Sequence, residues 1–237
     1  MRGEFVRTAG LLAITMAGSV SSSYASLITV PAGLAPGSQY RLVFVTASTY
    51  AATSTNISTY NSEVNTEANA VAALAALHTT WLDIGSTATV NAINNIGQDP
   101  SIPIYNLNGQ LVANDATTNA GGLFSGTLFH AIDYNESCSL DITYVWTGTG
   151  SNGTGVSGDQ LGARNVAEGY SADTTSGLWF HDGATSACYG TESLYAISVV
   201  LTVPGHNPEP STTALVLLGG AGLLFMARRR RLNRQSV

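Results

Sequence analysis

The chain contains no lysine, only two cysteines, and charged side chains at just 10% of its 237 positions. All nine basic residues are arginines, and seven of them sit at the ends: Arg2, Arg7, Arg228, Arg229, Arg230, Arg231 and Arg234. Between residues 26 and 207 only Arg41 and Arg164 remain, against thirteen acids, so that stretch carries a net −11 where the whole chain carries −6. A surface of that sign repels phosphate backbones and anionic lipid headgroups, which excludes nucleic-acid binding. Motifs that announce chemistry are missing too. There is no Gly-x-Ser-x-Gly, no His-Glu-x-x-His, and no Walker or dinucleotide fingerprint. Four histidines are scattered, at His78, His130, His181 and His206. His78 suits a helix C-terminus, and His181-Asp182 near Asp173 reads as a turn. No catalytic residue and no metal ligand is assigned, and the expectation is a non-enzymatic protein.

The two ends are the most explicit part of the sequence. Arg2 and Arg7 precede the apolar stretch Ala9–Val20, and Ser23-Tyr24-Ala25 supplies small residues for cleavage between Ala25 and Ser26. That is a secretory signal over residues 1–25, with an apolar stretch too short to span a bilayer. At the other end stand Pro208-Glu209-Pro210, an apolar segment over 211–227 with Gly219, Gly220 and Gly222, and then Arg228–Arg231. Seventeen helical residues reach about 25 Å, slightly under a roughly 30 Å hydrocarbon core. The arginines stay cytoplasmic by the positive-inside rule, which puts the preceding domain outside.

This tail, residues 208–234, resembles the PEP-CTERM sorting tail of biofilm-forming Gram-negative bacteria. The resemblance implies an exosortase-type membrane protease as partner. It also implies an inner-membrane anchor before processing, and the cell surface or extracellular matrix afterwards. A plain single-pass anchor is the alternative.

Export would take Cys138 and Cys188 into an oxidising compartment, so a disulfide between them is expected, with two free thiols as the alternative. Closing that loop of about 50 residues would stabilise by about 3–4 kcal/mol.

Within residues 26–203 the pattern predicts an α+β domain. Tyr40–Thr46 reads as a buried strand. A helix from about Tyr60 to Leu77, capped by Ser58 or Thr59, shows Val64, Ala68, Val71, Ala72 and Ala75 at helical spacing. Residues 100–111 form an extended pair, with Ile102, Ile104 and Leu107 on the apolar side and a turn at Asn108-Gly109. Tyr144–Trp146 is a strand before a Gly/Ser/Asn loop over 148–158. Leu194–Val203 is the last strand, and 204–207 a linker.

Pro103-Ile104-Tyr105-Asn106-Leu107, Leu123-Phe124-Ser125-Gly126 and Val145-Trp146-Thr147-Gly148 are similar to segments of the endostatin domain of collagens. That similarity implies a single C-type-lectin-like fold with one main early helix and several short strands. Endostatin's arginine cluster and N-terminal zinc histidines have no counterpart here, and neither do the calcium-lectin ligand motifs. The acidic loops at Asp99, Asp115, Asp133, Glu136, Asp141 and Asp159 would suit calcium only if they converge. Trp146 and Trp179, with several tyrosines, could stack on sugar rings, although the strand position of Trp146 favours a core role for it. Asn56, Asn135 and Asn152 head chance glycosylation sequons.

The expectation is therefore an exported surface or matrix protein that contacts exopolysaccharide. A secreted hydrolase acting on matrix polymer and a self-associating structural protein are the alternatives.

Overall fold

Strand β1 (Gln39–Val45) is where two cores meet. Six of its seven residues are buried, because QYRLVFV places apolar side chains on both faces instead of alternating them with polar ones. Tyr40, Leu42 and Phe44 face one core and Val43 and Val45 the other. The computed structural model describes residues 27–175 and 177–205. The signal segment, the sorting tail, its apolar helix and the terminal arginines lie outside those residues. Among the described residues no helix is long and apolar enough to cross a membrane.

After β1 come β2 (Tyr50–Ala51), α1 (Ile57–Ala70), α2 (Ala72–Ala75), β3 (Trp81–Asp83), α3 (Ala92–Ile96), β4 (Ile104–Asn106) and β5 (Leu111–Ala113). The second half holds β6 (Tyr144–Trp146), β7 (Asn165–Tyr170), β8 (Thr185–Ala187), β9 (Thr191–Glu192), β10 (Tyr195–Ser198) and β11 (Leu201–Thr202). The main sheet runs β3-β10-β1-β4-β5, with β11 also on β1. β1 is parallel to β4 and antiparallel to β10. β6, β7 and β8 form a second, antiparallel sheet, and β2 pairs with β9. The architecture is α+β, as the sequence pattern predicts.

Two expected elements take a different form. The helix starts at Ile57, capped by Asn56, whose Oδ1 accepts the Ser58 N–H at 3.1 Å. It buries Tyr60, Val64 and Ala68, then breaks at Val71, a β-branched residue in extended conformation. The chain resumes helix only for Ala72–Ala75, which brings Leu74 into the core.

The last strand is also interrupted. Val43 pairs with Ile197 and Tyr40 with Leu201, so the later strand carries one extra residue. That is a β-bulge. Ser198 and Arg41 fill the gap: Ser198 Oγ accepts the Leu42 N–H at 3.0 Å, and Arg41 Nε donates to the Ser198 carbonyl at 2.7 Å. Arg41 is fully buried and pairs with Asp99 at 3.1 Å. The β4–β5 hairpin forms around the expected turn, but its second strand runs over Leu111–Ala113 and Ile104 and Leu107 enter different cores. Gly109 takes φ +78°, and Asn106 Oδ1 accepts the N–H groups of Asn108 and Gln110.

Candidate functional site

Several residues singled out in the sequence turn out to hold the domain together. Trp146 and Trp179 are both completely buried, which removes them as sugar-stacking candidates. Trp146 Nε1 donates to the Tyr50 carbonyl at 2.8 Å, and Trp179 sits edge-on to Phe180 and Tyr195. Asn56, Asn135 and Asn152 each fold back onto the backbone N–H two residues on, as Asx turns. At Asn56 and Asn152 the hydroxyl of the Ser or Thr two residues on donates to the same oxygen.

The expected disulfide is absent: Cys138 and Cys188 are free thiols. Cys138 is held at φ +59° in the turn organised by Asn135, and its Sγ donates to the Leu107 carbonyl at 3.3 Å. Burial pushes its thiol pKa up. Cys188 lies between β8 and β9, its N–H bonded to Arg164 and its carbonyl to Ala52. With both thiols free, the loop-closure stabilisation expected from a bridge does not apply.

The acidic loops do not converge either. Asp99 pairs with Arg41, and Asp115 accepts from Thr117. Glu136 accepts the Ala47 N–H, and Asp141 the Asn135 amide. Among the described residues no three His, Cys, Asp or Glu side chains are placed to hold a metal ion. His78 and His130 are exposed, and His130 Nδ1 rests on the Leu111 carbonyl at 2.8 Å. His181 is half-buried. His206 lies outside the described residues.

The structure draws attention to a different surface. Leu140, Ile142 and Tyr144 alternate along the chain leading into β6, and all three point to solvent, at 59%, 52% and 46% exposure. Asp141 and Thr143 between them are half-buried, and their backbone is tied to Ser171. Ser171 Oγ accepts the Thr143 N–H and donates to the Asp141 carbonyl, while the Ser171 N–H bonds the Thr143 carbonyl. Asp141 itself is tied to Asn135 at 3.3 Å. A segment that half-buries its polar residues and exposes its apolar ones is the reverse of what solubility alone selects.

Next to this strip, Tyr144 pairs across the sheet with Tyr170. Their rings lie 5.2 Å apart at 52°. Beneath them β7 is clamped in place. A Cβ on Gly169 would sit 2.0 Å from the Trp179 carbonyl oxygen, so that position requires glycine.

Glu168 completes the surface. It pairs across from Trp146 as Tyr170 pairs with Tyr144. Since side chains alternate along a strand, Glu168 shares a face with the two tyrosines. It is only 6% exposed, and its Oε2 has no hydrogen-bond partner. Burial raises its pKa; a hydrogen bond with Ser186 opposes that shift and the charge of Asp182 adds to it. Glu192 on β9 feels the Glu168 charge in turn.

A second buried carboxylate, Asp83, lies under α1 on β3. It is fully buried with both oxygens unpartnered, and burial and then Glu63 raise its pKa well above the ordinary range. It sits inside the core and no open surface reaches it. A cleft of about 470 Å³ near the C-terminal end of the described chain is lined by Val30, His78, Val199 and Pro204, among others. It contains no charged cluster.

Compared with known proteins, the chain matches no family model and no curated relative. The surface therefore has to be interpreted on its own chemistry. Flat aromatic rings beside aliphatic side chains, on rigid strands, suit the apolar faces of sugar rings.

Proposed function

We propose that this chain is an exported surface or matrix protein whose folded domain binds extracellular polysaccharide through the Leu140–Ile142–Tyr144–Tyr170 face. The observation that carries it is the inverted patterning of residues 140–144, which exposes three apolar side chains beside a cross-strand tyrosine pair. The sequence supports the rest of the reading. The signal over 1–25, cleaved between Ala25 and Ser26, delivers the domain across the inner membrane. Pro208-Glu209-Pro210, the 211–227 helix and Arg228–Arg231 hold it there until an exosortase-type protease releases it. A C-type-lectin-like arrangement of the α+β domain belongs to the same proposal, supported by the segments at Pro103–Leu107, Leu123–Gly126 and Val145–Gly148. No step of it needs calcium or a catalytic residue.

Self-association through the same face is the second reading, favoured by the exposed Leu140 and Ile142. Co-sedimentation of the full chain in detergent micelles with the producer's exopolysaccharide separates the two. Saturable binding that disappears in Tyr144→Ala supports the polysaccharide role. No binding, together with concentration-dependent oligomers abolished by Ile142→Ser, supports self-association instead.

A further inference from the structure

The polysaccharide reading leaves open which charge of polymer the face selects, and the following inference rests on that reading. We propose that the Tyr144–Tyr170 face, with Glu168 beside it, takes a sugar polymer bearing free primary amines, such as a de-N-acetylated hexosamine chain, in preference to neutral or acidic glycans.

Four observations support it. The first is the carboxylate itself: Glu168 is 6% exposed and its Oε2 has no partner, although it shares a face with the exposed tyrosines. A buried carboxylate oxygen without a donor is an unfavourable arrangement that an incoming ammonium relieves. The second is its setting. The charge of Asp182 acts on the Glu168 carboxyl and that of Glu168 on Glu192, and among the described residues none of the three is held in an ion pair. Of the two arginines among the described residues, Arg41 is buried against Asp99, which leaves Arg164 as the exposed one.

Third, aromatic ring faces attract cations as well as sugar rings, so the tyrosine pair and the acid favour the same ligand. Fourth, the surrounding carboxylates are spread too widely to chelate a metal. They suit a bulky organic cation whose charge is repeated along a chain. A lysine-rich protein segment offers the charge but lacks the flat rings that would cover Tyr144 and Tyr170, so the sugar is favoured.

The test measures affinity of the full chain in detergent for a glucosamine hexamer, for the same hexamer fully N-acetylated, and for short polylysine, at pH 6. The wild type is expected to bind the glucosamine hexamer at least tenfold more tightly than the acetylated one. Tyr144→Ala weakens both; Glu168→Gln erases the preference while leaving the acetylated hexamer unaffected. Because Glu168 is part of the sheet, Glu192→Gln provides a second variant outside β7, with a two- to threefold smaller preference expected. Equal wild-type affinities for the two hexamers overturn the amine inference and leave the polysaccharide reading standing. So does a preference unchanged in both acid variants. Binding to neither hexamer sinks the underlying reading and this inference with it. Polylysine binding as tightly as the glucosamine hexamer overturns the sugar in favour of a basic protein partner.

Discussion

The two sides of the main sheet are stabilised by different means. On the helix side, Tyr40, Leu42 and Phe44 of β1 meet Tyr60, Val64 and Ala68 of α1, a regular face repeating every fourth residue. On the other side, Val43 and Val45 meet Phe124, Trp179, Phe180 and Tyr195, delivered by turns and short strands. Regular elements supply their own backbone hydrogen bonds, so the helix side needs only an apolar stripe. The loop-built side must have its backbone placed residue by residue, by Asx turns, by glycines at close approaches, and by contacts such as Thr147 Oγ1 with the Phe180 carbonyl. It also lies behind the strand that presents the aromatic surface, because Gly169 of β7 packs directly on Trp179.

The largest effect should therefore come from the loop-built side. Trp179→Ala is expected to remove about 3–5 kcal/mol in chemical denaturation. It should also weaken polysaccharide binding without touching an exposed residue. On the helix side, Leu74→Ala should remove about 2–5 kcal/mol and leave binding intact. If both variants impair binding equally, the sides are not separable in this way.

Asp83→Asn should act in the opposite direction. The carboxyl of Asp83 is raised by burial and by Glu63, so the folded state holds a proton that the unfolded chain releases near pH 3.9. Its contribution is complete in acid and declines as pH rises from there through the raised folded pKa. The variant should be more stable than wild type at pH 7 and show a flatter pH dependence in thermal melts. A variant less stable at pH 7 would mean that the carboxylate has a partner in solution.

A smaller loss, about 1 kcal/mol, is expected for Asn56→Ala, which removes the α1 cap. Thiol titration of the denatured, unreduced protein should count two free thiols, and none would restore the bridge between Cys138 and Cys188. Smallest of all, Tyr144→Ser should change stability by no more than about 0.5 kcal/mol, since the ring is nearly half exposed.

What could be read from the sequence divides along the same line. β1, the β4–β5 hairpin and the strand at Tyr144–Trp146 were legible because apolar runs and an Asn-Gly turn specify them locally. The helix was legible apart from its ends, since Ser58 and Thr59 are as good caps as Asn56 in composition, and nothing in Val71 alone shows that the helix breaks there. The bulge after Ser198 was not legible, because it is a difference in register between two strands about 160 residues apart in the chain. Strand β7 was missed because NVAEGY mixes a glycine and a glutamate into a buried ladder.

The exposed apolar strip shows most clearly where local pattern stops. Leu140, Ile142 and Tyr144 alternate with Asp141 and Thr143, which by itself predicts an apolar side turned inward. Only the Asp141 side chain's contact with Asn135, together with the exposure of Leu140, Ile142 and Tyr144, shows that the strand is turned the other way. That partner lies outside the segment, so the alternation alone does not contain the answer. Trp146 and Trp179 gave the opposite signal: large aromatics that look available for ligand and are wholly enclosed.

The most direct test of the account is co-sedimentation of wild type and of a Tyr144→Ala/Tyr170→Ala double variant with the exported polysaccharide, after matched melting curves confirm that both are folded. The account predicts saturable binding by the wild type and at least a tenfold loss in the double variant at unchanged melting temperature. Equal binding by the two folded proteins would contradict it and move the site elsewhere on the domain.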